Sequence, residues 1–223
     1  MAGGWAPVGT GVVTTAAPAA ELLIPDSNLQ ARVRELGKEL TEHLSGAQEP
    51  PVLVGVLKGS TMFLADLVRS MHMDLEVDFM SISAYGDSRG HSGVVRIIKD
   101  LERDIDGRHV VIVEDIVDTG LTLNYLRSTL TQRGARSLMA VTLLDKVARR
   151  IVPVALELKG FEIPDVFVVG YGLDFQARYR NLRDIFAVRD IARLANDPYL
   201  LVDGLFAPRE EAEGRPRSPV GTE

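Results

Sequence analysis

The chain has 223 residues, of which 46% are hydrophobic and 25% charged, a composition typical of a globular protein with one substantial core. Its 25 basic and 31 acidic residues give a formal net charge of −6, which argues against nonspecific nucleic-acid binding. The absence of cysteine excludes disulfides, thiolate zinc sites and a cysteine nucleophile, and no apolar run reaches the roughly 18 residues of a membrane helix.

The two ends of the chain differ from its middle. Residues 1–20, which contain "TGVVTTAAPAA" but no basic start and no compact leucine-rich segment, are typical of a disordered leader. Residues 207–223 are rich in proline, glycine and charge, and are typical of a disordered tail. We therefore expect one domain over residues 21–190, followed by a largely disordered C-terminal extension over residues 191–223.

Helix and strand patterns alternate in the first half of the domain. "NLQARVRELGKELTEHL" has leucine and valine at helical spacing, and "PPVLVGVL" is an apolar run typical of a buried strand. "STMFLADLVRSM" predicts a helix capped by Ser60 or Thr61, and "LEVDFMSIS" alternates as a strand does. The glycines and charges of "AYGDSRGHSG" predict a long loop, and "VVRIIKDLE" predicts a further strand.

The second half continues the alternation. "VVIVEDIVDTGLT" begins as a buried strand, and "LTLNYLRSTLTQRG" predicts a helix with Gly134 as its C-cap. "SLMAVTLLDK" and "DVFVVGYG" predict two more strands. This order predicts an α/β fold in which a mostly parallel sheet is covered by helices on both faces.

Three acids follow the strand of "VVIVEDIVDTGLT", at the edge where α/β sheets bind ligands. Backbone amides and hydroxyls of "DTGLT" at the start of a helix suit a phosphate, which the acids Glu114, Asp115 and Asp118 would repel. The three acids are compatible with a phosphate if they face sugar hydroxyls, a divalent cation or a proton to be removed. A phosphorylated sugar therefore suits both the acids and the phosphate-binding turn. The alternative is a solvated acidic turn. "GVLKGST" lacks the P-loop order of residues, and no dinucleotide-binding glycine fingerprint is present.

"VVIVEDIVDTGLT" resembles the signature of the type I phosphoribosyltransferases. Other stretches are similar to the 6-oxopurine branch of that family: "VGVLKGS" to its pyrophosphate loop, "SISAYGD" to its mobile loop, "LLDK" to its purine-binding lysine segment, and "FVVGYGLDFQARYRNL" to its base and metal segment. The resemblance covers residues 22–190. It implies a parallel-sheet core with a small hood built from the N- and C-terminal segments.

The resemblance also implies a reaction, in which a purine displaces pyrophosphate from phosphoribosyl pyrophosphate (PRPP) to give a nucleoside 5′-monophosphate. Asp118 would be the catalytic base that takes the N7 proton as N9 attacks C1′. The residues implied to bind PRPP are Glu114, Asp115, Asp118, Thr119, Gly120, Leu121 and Thr122. The residues implied to bind pyrophosphate are Lys58, Gly59 and Arg180, with a cis peptide bond between Leu57 and Lys58.

Further roles are implied for the base, the metal and the lid. Lys146, Phe167 and Val168 would bind the purine, and an ammonium at Lys146 would favour 6-oxopurines over adenine while leaving hypoxanthine, guanine and xanthine equivalent. Mg²⁺ would be the cofactor, held by Asp174, Glu114 and Asp115. Tyr85, preceded by alanine where the family usually has serine, would be the apolar contact of a mobile lid formed by residues 81–93.

The resemblance implies a cytoplasmic homodimer or homotetramer with PRPP and a 6-oxopurine as partners. The alternative is a nucleotide-sensing, RNA-binding regulator on the same fold, which the acidic net charge and the complete set of site residues disfavour.

Overall fold

A computed structural model of the chain describes residues 19–85 and 94–206. Its main sheet has six strands in the order β4-β3-β2-β5-β6-β7. Four of the five pairings are parallel, and only β3 with β4 is antiparallel, so the predicted mostly parallel sheet is confirmed. Their bounds are β2 Val52–Leu57, β3 Glu76–Tyr85, β4 Val94–Lys99, β5 His109–Val117, β6 Ser137–Asp145 and β7 Leu158–Glu162.

Helices cover both faces of this sheet. Helices α1 (Asp26–Leu44) and α2 (Thr61–Ser70) pack with Val111 and Val113 of β5 in one hydrophobic cluster. Helix α3 (Leu121–Gln132) packs with Val110 and Ile112 in a second cluster. Successive strand residues point to opposite faces, so the continuous apolar run of β5 supplies both layers of the core.

A second, smaller sheet forms the hood. It is antiparallel, in the order β1-β9-β8, with β1 at Ala20–Ile24, β8 at Phe167–Val169 and β9 at Ile185–Val188. The hood therefore joins the N-terminal and C-terminal segments, as the resemblance implies. The predicted strand "DVFVVGYG" lies in this sheet, whereas the last strand of the main sheet is β7, whose mixed sequence "LKGFE" has no clear strand pattern.

Three local predictions differ in part from the structure. Ser60 is the N-cap of α2, as one of the two predicted candidates, but it makes no side-chain capping hydrogen bond, because its hydroxyl donates to the Val56 carbonyl. The Thr61 hydroxyl donates to the Lys58 carbonyl. The C-cap of α3 is Arg133, and Gly134 is the next residue, with φ +80°. The predicted lid begins too early, because residues 81–85 continue β3 and pair with β4. Its remaining part, residues 86–93, lies outside the described residues.

The C-terminal extension contains ordered helices in its described part. Helix α4 (Ile191–Asn196) and helix α5 (Val202–Leu205) follow the hood, and Leu194 and Leu201 are buried against it. Of the expected leader, residues 1–18 lie outside the described residues, whereas Ala20 is the first residue of β1, so the predicted leader ends too late. The expected tail, residues 207–223, also lies outside the described residues. No helix within residues 19–85 and 94–206 has the length and apolar character needed to cross a membrane.

Candidate active site

Strand β5 carries two acids in its second half, Glu114 and Asp115, and delivers them to different sides of the sheet. It extends to Val117, four residues beyond the apolar run, so the acids stand on the strand rather than after it. Glu114 lines a small cavity of about 90 Å³ together with residues of the following turn. Asp115 packs against the loop after β2, where a β-carbon on Gly59 would lie 1.5 Å from its Oδ2 atom.

The turn after β5 leads directly into α3. Gly120 precedes the helix with φ +84°, a left-handed conformation that favours glycine. The carbonyl of Thr119 accepts from the amides of Ile151 and Val152 at 3.0 and 3.3 Å, which anchors the turn to the segment after β6. Leu121 is exposed at the first helical position. The residues that line the cavity are Glu114, Ile116, Val117, Asp118, Thr119, Gly120, Thr122 and Leu123.

The predicted pyrophosphate residues meet on the α2 side of Asp115. The Leu57–Lys58 peptide bond is cis, as the resemblance implies. A β-carbon on Gly172 would lie 2.1 Å from the Gly59 carbonyl oxygen, so the two backbones need glycine to approach this closely. Arg180 donates to the Gly172 carbonyl and pairs with Asp174, with 2.7 Å between Nη2 and Oδ1. The metal and pyrophosphate candidates therefore stand next to Asp115.

The predicted purine-binding residues lie in two places, Lys146 beside the turn after β5 and Phe167 and Val168 in the hood sheet. Lys146 is buried, its amide donates to the Val117 carbonyl at 2.9 Å, and its Nζ lies 4.0 Å from Asp165. Phe167 and Phe175 meet edge to face with ring centroids 6.0 Å apart. Val168 belongs to β8, which is the outer strand of the hood sheet and pairs only with β9 within residues 19–85 and 94–206.

Two arginines that no sequence motif indicated, Arg149 and Arg150, also lie beside the turn. Arg149 Nε lies 2.9 Å from Asp118 Oδ1, and its Nη1 lies 3.4 Å from Asp165. Arg149 therefore lies between Asp118, the predicted catalytic base, and Asp165, the acid near the Lys146 ammonium. Arg150 pairs with buried Asp145 and touches the space beside Gly120. The signal available in the sequence was "LLDKVARRI", in which both arginines closely follow the lysine.

Burial changes the ionisation of both strand acids. Desolvation, and next the negative charge of Asp115, raise the pKa of Glu114 well above its usual value. Desolvation raises the pKa of Asp115 to about 6, opposed by two backbone hydrogen bonds and by the charge of Arg180. The ligand-free site therefore holds two carboxyl groups that are costly to ionise, and a ligand that brings positive charge or hydroxyl donors reduces that cost.

Asp115→Asn is expected to stabilise the ligand-free protein at pH 7. Between pH 4 and about 6 the folded state retains a proton that the unfolded chain releases, so stability falls as pH rises through this range and then levels off. Asparagine removes this cost, so the free energy of unfolding should rise by on the order of 2 kcal/mol at pH 7 and by less at pH 4.5. Urea denaturation at both pH values measures the difference.

Asp78→Asn is the matched control for this experiment. Asp78 is also a buried strand acid, but it accepts from the Glu102 amide at 2.9 Å and lies 3.8 Å from Lys99 Nζ. Its substitution should lower stability at pH 7, because it removes a charge that the fold already compensates. If Asp115→Asn destabilised the protein as much as Asp78→Asn does, the burial cost assigned to Asp115 would be wrong.

The parallel sheet, the hood and a turn with acids, a glycine and a helix N-terminus together define a phosphoribosyltransferase. A family model described as a phosphoribosyl transferase domain matches residues 25–176, which is more than half of the chain. The chain belongs to the phosphoribosyltransferase family.

Relatives within this family are hypoxanthine phosphoribosyltransferases. The chain is 49% identical over 162 residues to hypoxanthine phosphoribosyltransferase of Escherichia coli (strain K12), covering 73% of this chain and 91% of that protein. It is 48% identical over 162 residues to hypoxanthine-guanine phosphoribosyltransferase of Bacillus subtilis (strain 168), covering 73% and 89%. A crystal structure of a hypoxanthine phosphoribosyltransferase from Staphylococcus aureus superposes with a TM-score of 0.73 at 42% identity, covering 77% of this chain and 92% of that one.

Proposed function

We propose that the chain transfers the 5-phosphoribosyl group of PRPP to N9 of hypoxanthine, and also of guanine, releasing pyrophosphate and forming IMP or GMP. The observation that carries the proposal is the grouping of the candidate residues around the turn after β5. Arg180 and Asp174 lie beside Asp115 on one side of the Asp118–Thr122 turn, and Lys146 lies on the other side, near Asp165 and Arg149. In the transfer, the ribose C1′ stands between the leaving pyrophosphate and the attacking purine, so the two sets of residues correspond to these two groups.

Each set of residues suits one part of the substrates. The amides of the turn and the N-terminus of α3 suit the 5′-phosphate, and Glu114 and Asp115 suit the ribose hydroxyls. Lys58, the backbone at Gly59 and the guanidinium of Arg180 suit the pyrophosphate. The Phe167 ring suits one purine face, the Val168 carbonyl its edge, and the Lys146 ammonium its 6-oxygen. We assign to Tyr85, at the end of β3, the closing contact over this site.

Asp118 is the group we assign to proton transfer. It is the first residue of the Asp118–Thr122 turn, here called the phosphate turn, and lies on the side of Lys146. There its carboxylate accepts the N7 proton while N9 attacks C1′. Its negative charge also stabilises the positive charge that develops on the ribose as pyrophosphate leaves. Arg149 pairs with Asp118 in the ligand-free protein, so a purine that approaches this carboxylate takes the place of part of that contact.

Mg²⁺ is the cofactor that we propose. Asp174 and Asp115, which lie on the same side of the sheet, would hold it together with substrate oxygens, whereas Glu114, the third predicted ligand, faces the cavity of the turn before α3. Among the described residues, no group of three or more His, Asp or Glu side chains is arranged to hold a metal without help from a substrate. Magnesium commonly uses one or two carboxylates plus substrate phosphates, so the donor set fits this ion. When bound, it neutralises the charge on the leaving pyrophosphate.

We further propose a cytoplasmic homodimer or homotetramer. The relatives named above are described as hypoxanthine or hypoxanthine-guanine phosphoribosyltransferases, which gives no support to the alternative of an RNA-binding regulator.

The direct test is a spectrophotometric assay with PRPP, Mg²⁺ and each of four purines. Hypoxanthine and guanine should yield IMP and GMP, and omission of Mg²⁺ should abolish the reaction. Tight RNA binding by a protein that forms no nucleotide from any of the four purines would favour the regulator instead.

A further inference from the structure

The loop that carries Asp174 and Arg180 has an unusual backbone. Gln176, Ala177 and Tyr179 have φ values of +50°, +64° and +72°, a region that residues with a β-carbon rarely adopt. Such conformations persist where the surroundings fix them. Within the loop, the Ala177 amide donates to Asp174 Oδ2 at 2.6 Å, so the backbone conformation and the position of that carboxylate are linked.

The C-terminal extension contacts this loop through Tyr179. The Tyr179 side chain is buried, and its hydroxyl donates to the carbonyl of Pro198. Its ring stacks on Phe206 with centroids 6.3 Å apart and an interplanar angle of 24°. Tyr179 immediately precedes Arg180, so these contacts fix the backbone from which the predicted pyrophosphate ligand extends.

A second contact involves the neighbouring residue. The guanidinium of Arg178 lies over the ring of Tyr199, 3.8 Å from its centroid, which is within the range of a cation–π interaction. Arg178 and Phe175 also exchange backbone hydrogen bonds of 3.0 and 3.2 Å, which close the loop on itself. Two consecutive loop residues, Arg178 and Tyr179, are thus held by aromatic side chains of the extension.

We propose that residues 198–206 of the extension position Asp174 and Arg180, and thereby set the affinity of the enzyme for PRPP with Mg²⁺. The proposal rests on the function proposed above and adds a role for a segment outside the catalytic machinery. Tyr199 and Phe206 are positioning residues, because they act through Arg178 and Tyr179 and lie on the outer side of the loop. The aromatic contacts compensate for the unfavourable backbone conformation and keep the carboxylate and the guanidinium in register with pyrophosphate.

The position of the loop matters most for one ligand. Pyrophosphate contacts Arg180 in the proposed complex, whereas IMP has no pyrophosphate and uses the phosphate turn and the purine residues. Loss of the contacts that support the loop should therefore weaken the binding of PRPP more than the binding of IMP. General destabilisation of the protein would weaken the binding of both ligands equally, so the ratio of the two Kd values distinguishes the two causes.

The test compares four variants: Tyr199→Leu, Tyr199→Phe, Phe206→Ala and the double variant Tyr199→Leu/Phe206→Ala. Tyr199→Phe keeps the ring under Arg178 and is the conservative rescue. Ile191→Ala is the matched control, since Ile191 is an exposed residue of the same extension and is not a member of the hydrophobic cluster around Tyr179. For each protein, calorimetry measures Kd for PRPP with Mg²⁺ and Kd for IMP, and initial rates measure kcat and both KM values.

In the double variant we expect Kd and KM for PRPP to rise on the order of tenfold, less than the roughly hundredfold that a 1 Å misplacement can cost. Kd for IMP should rise less, by no more than about threefold, since IMP does not contact Arg180 and the loop reaches the purine residues through the contact between Phe175 and Phe167. Tyr199→Phe and Ile191→Ala should resemble the wild type. Unchanged PRPP affinity in the double variant, or equal weakening of PRPP and IMP, would overturn the positioning role. A wild-type protein that forms no nucleotide would instead refute the proposed function.

Discussion

Asp118→Asn should lower kcat with hypoxanthine and PRPP by on the order of 10²–10⁴, the usual effect of losing a general base. Kd for PRPP should stay close to that of the wild type, because asparagine keeps the shape of the side chain and the phosphate turn is largely backbone. The decrease in kcat should arise in the chemical step, because the asparagine amide can accept a hydrogen bond but cannot take the N7 proton. Calorimetry with PRPP and single-turnover rates of IMP formation separate binding from chemistry.

Arg149→Gln is the matched control, because Asp118 also forms an ion pair. With 2.9 Å between Arg149 Nε and Asp118 Oδ1, and with both side chains partly exposed, the pair contributes little to stability. Arg149→Gln should therefore reduce kcat by less than about tenfold. A loss as large as that of Asp118→Asn would show that the ion pair, and not proton transfer, accounts for the importance of Asp118. An unchanged kcat in Asp118→Asn would show that another group takes the proton.

Much of the fold could be predicted because the central strands of the main sheet, β2, β5 and β6, are buried over most of their length. The continuous apolar run of β5 packs in two hydrophobic clusters at once, and only a covered parallel sheet requires this pattern. The phosphate turn was equally visible, since a strand, an acidic pair, a threonine–glycine turn and a helix follow each other without interruption. Both features are local in the sequence, so neither depends on knowing which distant segments meet.

The features that escaped prediction depend on distant contacts. Strand β7 has the mixed sequence "LKGFE" and becomes a strand only because β6 offers it a parallel partner. The bridge from Arg149 to Asp118 and Asp165 joins three segments that no sequence spacing relates. Residues 191–206 of the extension are largely apolar but follow a short, charged segment without a clear period, and their aromatic side chains gain partners where the loop around Tyr179 lies. Tertiary contact, rather than local propensity, decides these elements.

Adenine should be at least about a hundredfold poorer than hypoxanthine as a substrate, measured by kcat/KM. Lys146 is buried, and its ammonium carries only donors. The 6-oxygen of hypoxanthine accepts from it, whereas the 6-amino group of adenine faces it donor to donor. A buried donor without a partner costs about 1–3 kcal/mol, and about 3 kcal/mol corresponds to roughly a hundredfold in rate.

Lys146→Gln tests the origin of this preference. The neutral amide can present either its oxygen or its NH₂ group, so it accommodates both purines moderately. We expect kcat/KM for hypoxanthine to fall by about tenfold to a hundredfold, the cost of losing one charge-assisted hydrogen bond, and the preference over adenine to narrow. Competition assays with the two purines, at saturating PRPP, measure the ratio directly.

Asp165→Asn controls for the charge environment of Lys146. Asp165 Oδ1 lies 4.0 Å from the Lys146 Nζ and 3.4 Å from Arg149, and it is half-exposed, so its loss should leave the preference for hypoxanthine intact. If Lys146→Gln kept the full discrimination, or if the wild type used adenine and hypoxanthine with comparable kcat/KM, the assignment of Lys146 to the 6-oxygen would be wrong. Under the proposed assignment, hypoxanthine, guanine and xanthine gain the same advantage from Lys146, because all three carry the 6-oxygen and differ only at C2.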